Sequence, residues 1–577
     1  MANAKRVMRS LACGVALAFW GAWLVGPRAA AVEVGKEERA EPLVPVEFSV
    51  VDAATGAFVP ARLTITRTNG ALLNFRRSNR SGPVALRRGL VYTRGTPTTL
   101  ELPAGRYFVY ATRGMEWSRA ERHIVVRPGA PLQVSLKIAR EVDTTGFIAA
   151  DTHVHTLTFS GHGDASIEER MLTLAGEGVE LAVATDHNHN TDYRPVQETM
   201  QVTEFFTPVT GNEVTTRLGH MNAFPLNPND PPPNHKLDSW IKLVNDIRAR
   251  GAKVVILNHP RWPTLAKCPF TEFGLNRLSG EFRDQPTFPF DAVELANALV
   301  PQPDPLYIVR DWLALLNRGY RVTGVGASDT HTVGDPPGQA RSYVPSRTDD
   351  PARIDVEEAC GHFRRGELSM SLGIFADVWV NGLWKMGQTH TLPDEDVRVT
   401  LRVAAPSWVT PRVAIVFLNG REVARKPVLA RAPKQPTDTR IEFRLPRPKH
   451  DAHLVCAVVG DGVNHPAWTT KEKFTLAVTN PVYLDADGDG HYSSPFAQAQ
   501  AALARAGESL DAQWAAALAA EDAVAIQMLS LMRQRWPAEK QADLERRIRA
   551  AGEQRPALRD YIEYPLPAAE GARQRDS

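Results

Sequence analysis

Residues Gly146 to Thr156 read GFIAADTHVHT, and the fold turns on that stretch. A short apolar run stops at an acid and two histidines one residue apart. In a strand, residues i and i+2 point to the same side, so His153 and His155 can serve one ion while Val154 packs away. Downstream the same event recurs. The runs VELAVATDHN, FFTPVTGNEV, AKVVILNHP, FDAVELANA and RVTGVGASDTHT are apolar without clean alternation, which suits parallel strands buried on both faces. Between them lie helical stretches, SIEERMLTLAGEG, LDSWIKLVNDIRARG and PLYIVRDWLALLNRG, each ending at a glycine as helix C-termini often do. Repeated βα units over residues 145–375 predict an α/β fold of the TIM-like barrel type.

Nearly every one of these runs ends in ligand chemistry: His153 and His155, then Asp186 and His187, Glu213, His259, and finally Asp329 with His331. His220, in GHMNAF, follows Glu213. A barrel gathers its strand C-termini around one mouth, so residues far apart in the chain meet there. One strand-end histidine is ordinarily a hydrogen-bonded loop residue. So many ends agreeing predicts a multinuclear metal site, with acids to bridge ions and imidazoles suited to Zn, Fe or Mn.

The segment from about 145 to 345 resembles the PHP family, the polymerase and histidinol phosphatase metallohydrolases. DTHVHT, TDHN, GNEV with GHMNAF, NHP and SDTH carry the resemblance. It implies a distorted seven-stranded β/α barrel, (β/α)7, with two or three divalent ions. His153, His155, Glu213 and Asp329 would hold the first, and Glu213 would bridge to a second held by His220 and His259. His187 and His331 would hold a third, with a further ligand from FSGHGDAS: His162, which the spacing to His187 favours, or Asp164. Asp151 and Asp186 are then carboxylates that orient the histidines. The wider layout resembles the secreted, carbaryl-hydrolase-like branch of the family, for which aryl carbamate cleavage is the activity implied.

On this reading a metal-bridging hydroxide attacks phosphorus or a carbonyl carbon, with Glu213 and Asp329 central to catalysis. His189 is the candidate acid for the leaving group. Arg341, in GQARSYV, is the candidate for binding a substrate anion, ahead of Arg261 and Lys267. Glu294 and Asn297 are expected to shape the pocket. No G-x-S-x-G elbow competes.

The rest of the chain frames this unit. Lys5, Arg6 and Arg9 precede LACGVALAFWGAWLVG and Ala29-Ala30-Ala31. That pattern predicts a bacterial-type signal peptide over 1–31, a periplasmic or secreted protein, and no stable membrane insertion after cleavage. Residues 45–140 and 376–480 read as β-sandwiches, the second with an Asn419-Gly420 hairpin signal. Residues 481–577 open with DADGDGHY and continue as an Ala-rich amphipathic helix. Asp485, Asp487 and Asp489 match the first half of an EF-hand loop, but Phe496 stands where its last acid belongs. A structural Ca²⁺ and an ion-free acidic turn are both compatible with this. Cys268, Cys360 and Cys456 read as buried apolar residues.

A net charge of +2 points to no nucleic-acid partner, so a small-molecule substrate is expected; nothing bears on oligomeric state. Three function classes follow: a phosphoester hydrolase, a hydrolase of a carbamate, amide or ester, and a non-catalytic cell-surface binding module that keeps its metal site.

Overall fold

The computed structural model describes residues 43–79, 82–285, 287–429, 432 and 434–563. The expected signal peptide lies outside them. The described chain is a mixed α/β fold with 12 α-helices and many sheets, and the described residues form one compact unit.

Strands between Leu43 and Ile138 make a four-stranded and a five-stranded sheet. Leu43–Asp52 alternates buried and exposed positions, the period of a strand with one wet face. Its Val46 and Phe48 share a core with Leu63, Ile65 and Val109 of the other sheet.

The central strands depart from a simple parallel ring. FFTPVTGNEV breaks at Gly211 into Thr207–Thr210 and Asn212–Thr216, which belong to different sheets. A Cβ on Gly211 would lie 2.7 Å from a Val183 methyl and 2.9 Å from the Ala184 carbonyl, so only glycine lets the chain cross there. GHMNAF is a strand, Gly219–Phe224, antiparallel to Asn212–Thr216 and to Val254–Leu257. The latter then pairs in parallel with Ala292–Asn297, and that with Thr323–Ala327. Phe147–Val154, Leu181–Ala184 and Thr207–Thr210 pair in parallel in another sheet. Isolated parallel bridges join the two sets at Val154 with Thr330 and at His187 with Glu213, beside the ligand-type residues.

The boundary expected at 375/376 is crossed by a sheet. Ser369–Leu372 pairs antiparallel with Phe474–Thr479, so the C-terminal strands continue the eleven-stranded sheet that contains the His153 strand. Pairing satisfies the N–H and C=O groups a free edge would expose. The three strands Phe375–Val380, Val397–Ala405 and Thr437–Leu445 pack on that sheet through Val378, Leu401, Phe443, Val416 and Val458.

The Ala-rich tail is several helices rather than one. Pro495–Ala506 ends before Gly507, at φ 74°, and Ser509 caps Leu510–Ala519. Asp522–Arg535 follows and docks through Gln527, whose amide donates to the Ser279 carbonyl at 2.8 Å. No helix among the described residues is long and apolar enough to cross a membrane.

Candidate metal centre

Glu213 lies in the middle of the site, fully buried. Its Oε1 is 3.1 Å from His153 Nε2, 3.1 Å from His220 Nδ1 and 3.5 Å from His259 Nε2. Its Oε2 is 2.6 Å from His187 Nδ1 and 3.7 Å from His155 Nε2. Asp329 Oδ1 closes the other side, 3.3 Å from His153 Nε2 and 3.2 Å from His155 Nε2. Donor atoms converge in overlapping groups: His153, His155 and Glu213; His153, His259 and Asp329; His187, Glu213 and His220; and His155, His187 and His331. The His162 ring stacks 4.9 Å from His187 and 4.6 Å from His331. The sequence-expected histidines and acids are thus gathered at the strand ends.

Backbone strain accompanies the convergence. His259 and Asp329 sit at φ 25° and 56°, a left-handed region that costs a non-glycine residue about 1–3 kcal/mol and clusters at functional sites. Gly163, at φ 86°, lets the His162 loop close onto His331, whose carbonyl would lie 2.3 Å from a Cβ there.

Each ring is held from behind. His153 Nδ1 donates to Glu294 Oε1 at 2.6 Å; a carboxylate only accepts, so a proton sits on Nδ1 and the ring turns Nε2 toward Glu213 and Asp329. The other Glu294 oxygen accepts from the His259 N–H at 2.7 Å and from the Asn297 amide at 3.0 Å. Asn297 also reaches Asp329 Oδ2 at 3.1 Å. Glu294 and Asn297, expected as pocket walls, therefore orient ligands. Asn258 donates to Glu213 Oε1 at 2.9 Å. His155 Nδ1 meets Ser160 Oγ at 3.1 Å, and that hydroxyl donates to Asp186 Oδ1 at 2.7 Å. The Ser160 carbonyl accepts from His162 Nδ1 at 3.1 Å. Asp186 thus orients His155 through Ser160, without touching a ring. Asp151 acts on backbone instead: it accepts from the N–H groups of His153, Ser328 and Gly338 and from the Ser328 hydroxyl. Ser160 and Asn258 carried no strand-end signal; the acid in FDAVELANA did.

Burial alone would raise Glu213 and Asp329, but the surrounding histidines outweigh it and hold both well below the usual carboxylate range. Burial holds His155 well below its ordinary value. For His153 burial works the same way, yet Asp329, Glu294 and Glu213 prevail and raise it well above, so a proton and a cation compete for that ring. His153 Nε2, His155 Nε2 and His331 Nε2 are buried and make no hydrogen bond. Orphaned imidazole nitrogens converging with two anionic carboxylates fit divalent ions that take N and O ligands.

Several expected site residues lie elsewhere. Arg341 is fully buried: its guanidinium pairs with Glu116 at 2.9 Å and donates to the Gly338 and Glu177 carbonyls. It ties the strands together and offers nothing to a substrate anion. Arg261 is likewise buried against Asp311, 2.8 Å away. Asp164 is committed to Arg87 and the Val333 N–H, while His162 faces the cluster. His189 is exposed; its ring stacks on Phe159 at 4.2 Å and Nδ1 meets Thr191 Oγ1. Lys267 lines a cleft of about 150 Å³ beside His220 and His259. In the acidic loop the converging carboxylates are Asp451, Asp485 and Asp487, with Asp451 in place of Asp489. The three cysteines are buried and unpaired.

No family model matches the chain, and no curated protein does. A solved structure that matches is that of a two-domain protein containing a predicted PHP-like metal-dependent phosphoesterase from Bacteroides vulgatus. It is 14% identical, with 59% of this chain and 97% of that one covered and a TM-score of 0.30. At that score the likeness decides neither fold nor chemistry, which leaves the converging donor set to speak for the site.

Proposed function

We propose that this chain is an exported metal-dependent hydrolase that cleaves a phosphoester, on a PHP-like barrel over residues 145–375 between two β-sandwiches. The observation that carries it is five histidines around one buried carboxylate, Glu213, where Nε2 of His153 and of His155 makes no hydrogen bond. Divalent ions held there would supply a nucleophilic water and a Lewis acid at neutral pH. The protein's own part is positioning. Glu294, Ser160 and Asn258 fix the rings and Glu213, so little reorganisation is needed during reaction. His189, on an exposed loop with its ring stacked on Phe159, is the proposed proton donor to a departing oxygen. The charge and apolar pattern of residues 1–31 supports export.

A second reading, cleavage of a carbamate, amide or ester, is favoured by one observation. Both guanidiniums expected at the mouth, Arg341 and Arg261, are spent on internal acids, and an exposed Trp262 stands beside the histidines instead. The deciding experiment is hydrolysis by residues 32–577 with added Mn²⁺ or Zn²⁺. Aryl phosphate mono- and diesters are compared with an aryl methylcarbamate, with Glu213→Gln as control. Metal-dependent phosphoester turnover lost in the variant is expected. Preference for the carbamate selects the second reading. No bound metal and no turnover would leave the binding module.

A further inference from the structure

The cleft beside the histidines has a composition that the phosphoester chemistry above does not use. Trp262 follows His259 in a turn closed by its own N–H on the His259 carbonyl at 2.9 Å. The residue is 42% exposed, and its ring centroid lies 5.1 Å from the His259 ring and 5.6 Å from that of His220. A tryptophan is normally well buried, so a half-open one flanking two ligand-type histidines offers a flat apolar face to the cleft. Pro263 and Pro269 continue the apolar wall, and Arg217 and Lys267 stand against a single acid, Glu272. Arg217 and Lys267 are exposed and form no ion pair among the described residues. The cleft is about 150 Å³, and an apolar cavity of about that size takes one benzene ring.

We infer that this cleft holds the organic portion of the substrate, and that this portion is a planar aromatic ring bearing a negative charge. The inference rests on the hydrolase reading above. A flat ring gains stacking on an indole beyond what its buried area supplies, roughly 2- to 12-fold in affinity. An anionic substituent would meet the excess of positive charge at the rim.

The test is calorimetric binding of three probes to the Mn²⁺-loaded chain: methylphosphonate, phenylphosphonate and 4-carboxyphenylphosphonate. The phenyl probe should bind about 10-fold more tightly than the methyl probe, and the carboxyphenyl probe more tightly again. Trp262→Ala should erase the phenyl preference while methylphosphonate binding, the control for an intact centre, stays unchanged. Trp262→Phe should keep most of it, and Lys267→Met should remove only the carboxylate increment. Equal affinity for the methyl and phenyl probes, or a phenyl preference that survives Trp262→Ala, overturns the aromatic assignment. A carboxylate increment that is absent, or indifferent to Lys267→Met and Arg217→Met, overturns the charge assignment. If methylphosphonate shows no metal-dependent binding, the hydrolase reading itself has failed, a result the aromatic comparison cannot mimic.

Discussion

The metal centre and the DADGDG loop both gather acids and look alike as motifs, yet their donor atoms behave oppositely. In the loop the carboxylates accept hydrogen bonds chiefly from the backbone of the loop and its neighbours. Asp485 accepts from the Gly488 and Gly490 N–H groups and from Thr391. Asp451 accepts from Ala486 and Ser493, and Asp487 from Asp489. Such a loop holds its shape through its own backbone. At the strand ends three imidazole nitrogens have no partner, and a buried group left unpaired costs about 1–3 kcal/mol. Glu177 is an instructive third case. It has an orphaned oxygen, yet no converging histidines, and burial pushes its carboxyl up to about 7. At Glu177 burial prevails over Arg62, 3.8 Å away, whereas at Glu213 the surrounding histidines prevail over burial.

The largest expected effect separates centre from loop. Glu213→Gln should lose bound metal and lower turnover on the order of 10³-fold, read by elemental analysis and initial rates; full metal content in the variant would break the contrast. Next is Glu177. Its folded value of about 7 exceeds the ordinary 4.5, so its contribution to stability is full below pH 4.5 and is lost as pH rises through 7. The loss is about 3 kcal/mol at most. Urea unfolding from pH 5 to 8 should show that decline in the wild type, and a shallower one in Glu177→Gln. Glu294→Gln should weaken metal binding about 10- to 100-fold, measured by competition with a chelator. Ser160→Ala, which removes the partner of His155 Nδ1, should cost about 10-fold in metal affinity, read by the same competition. The smallest effect is that of Ca²⁺, which should move the melting temperature by less than about 1 °C. Asp485→Ala should destabilise by about 1–3 kcal/mol whether or not Ca²⁺ is present.

Much of the centre was legible because ligand residue types stood at the ends of apolar runs, from His153 to His331. Glu294 was visible as a strand-end acid but misjudged in role, since its partner His153 lies 141 positions away. Ser160 and Asn258 were silent as to role: neither residue type marks a metal site, and only their neighbours His155 and Glu213 give them purpose. Arg341 misled for a related reason. Its place after SDTH suggested the mouth, but its side chain leaves on the side facing Glu116. The Ala-rich tail was legible as helix and not as the five helices of the described residues, because Gly507 and the cap at Ser509 outweigh a continuous apolar stripe.

Local chemistry is written along the chain: which runs can be strands, which residues can hold an ion, and where a Gly211 or Gly163 lets backbones approach. Those follow from side-chain volume, periodicity and ligand preference, all properties of neighbours in sequence. Only the tertiary structure decided that the C-terminal strands extend the sheet of His153, that Asp451 joins the acidic loop, and that two arginines face inward. Those outcomes depend on which distant strand edge or buried acid is nearest, a distance that no spacing along the chain encodes.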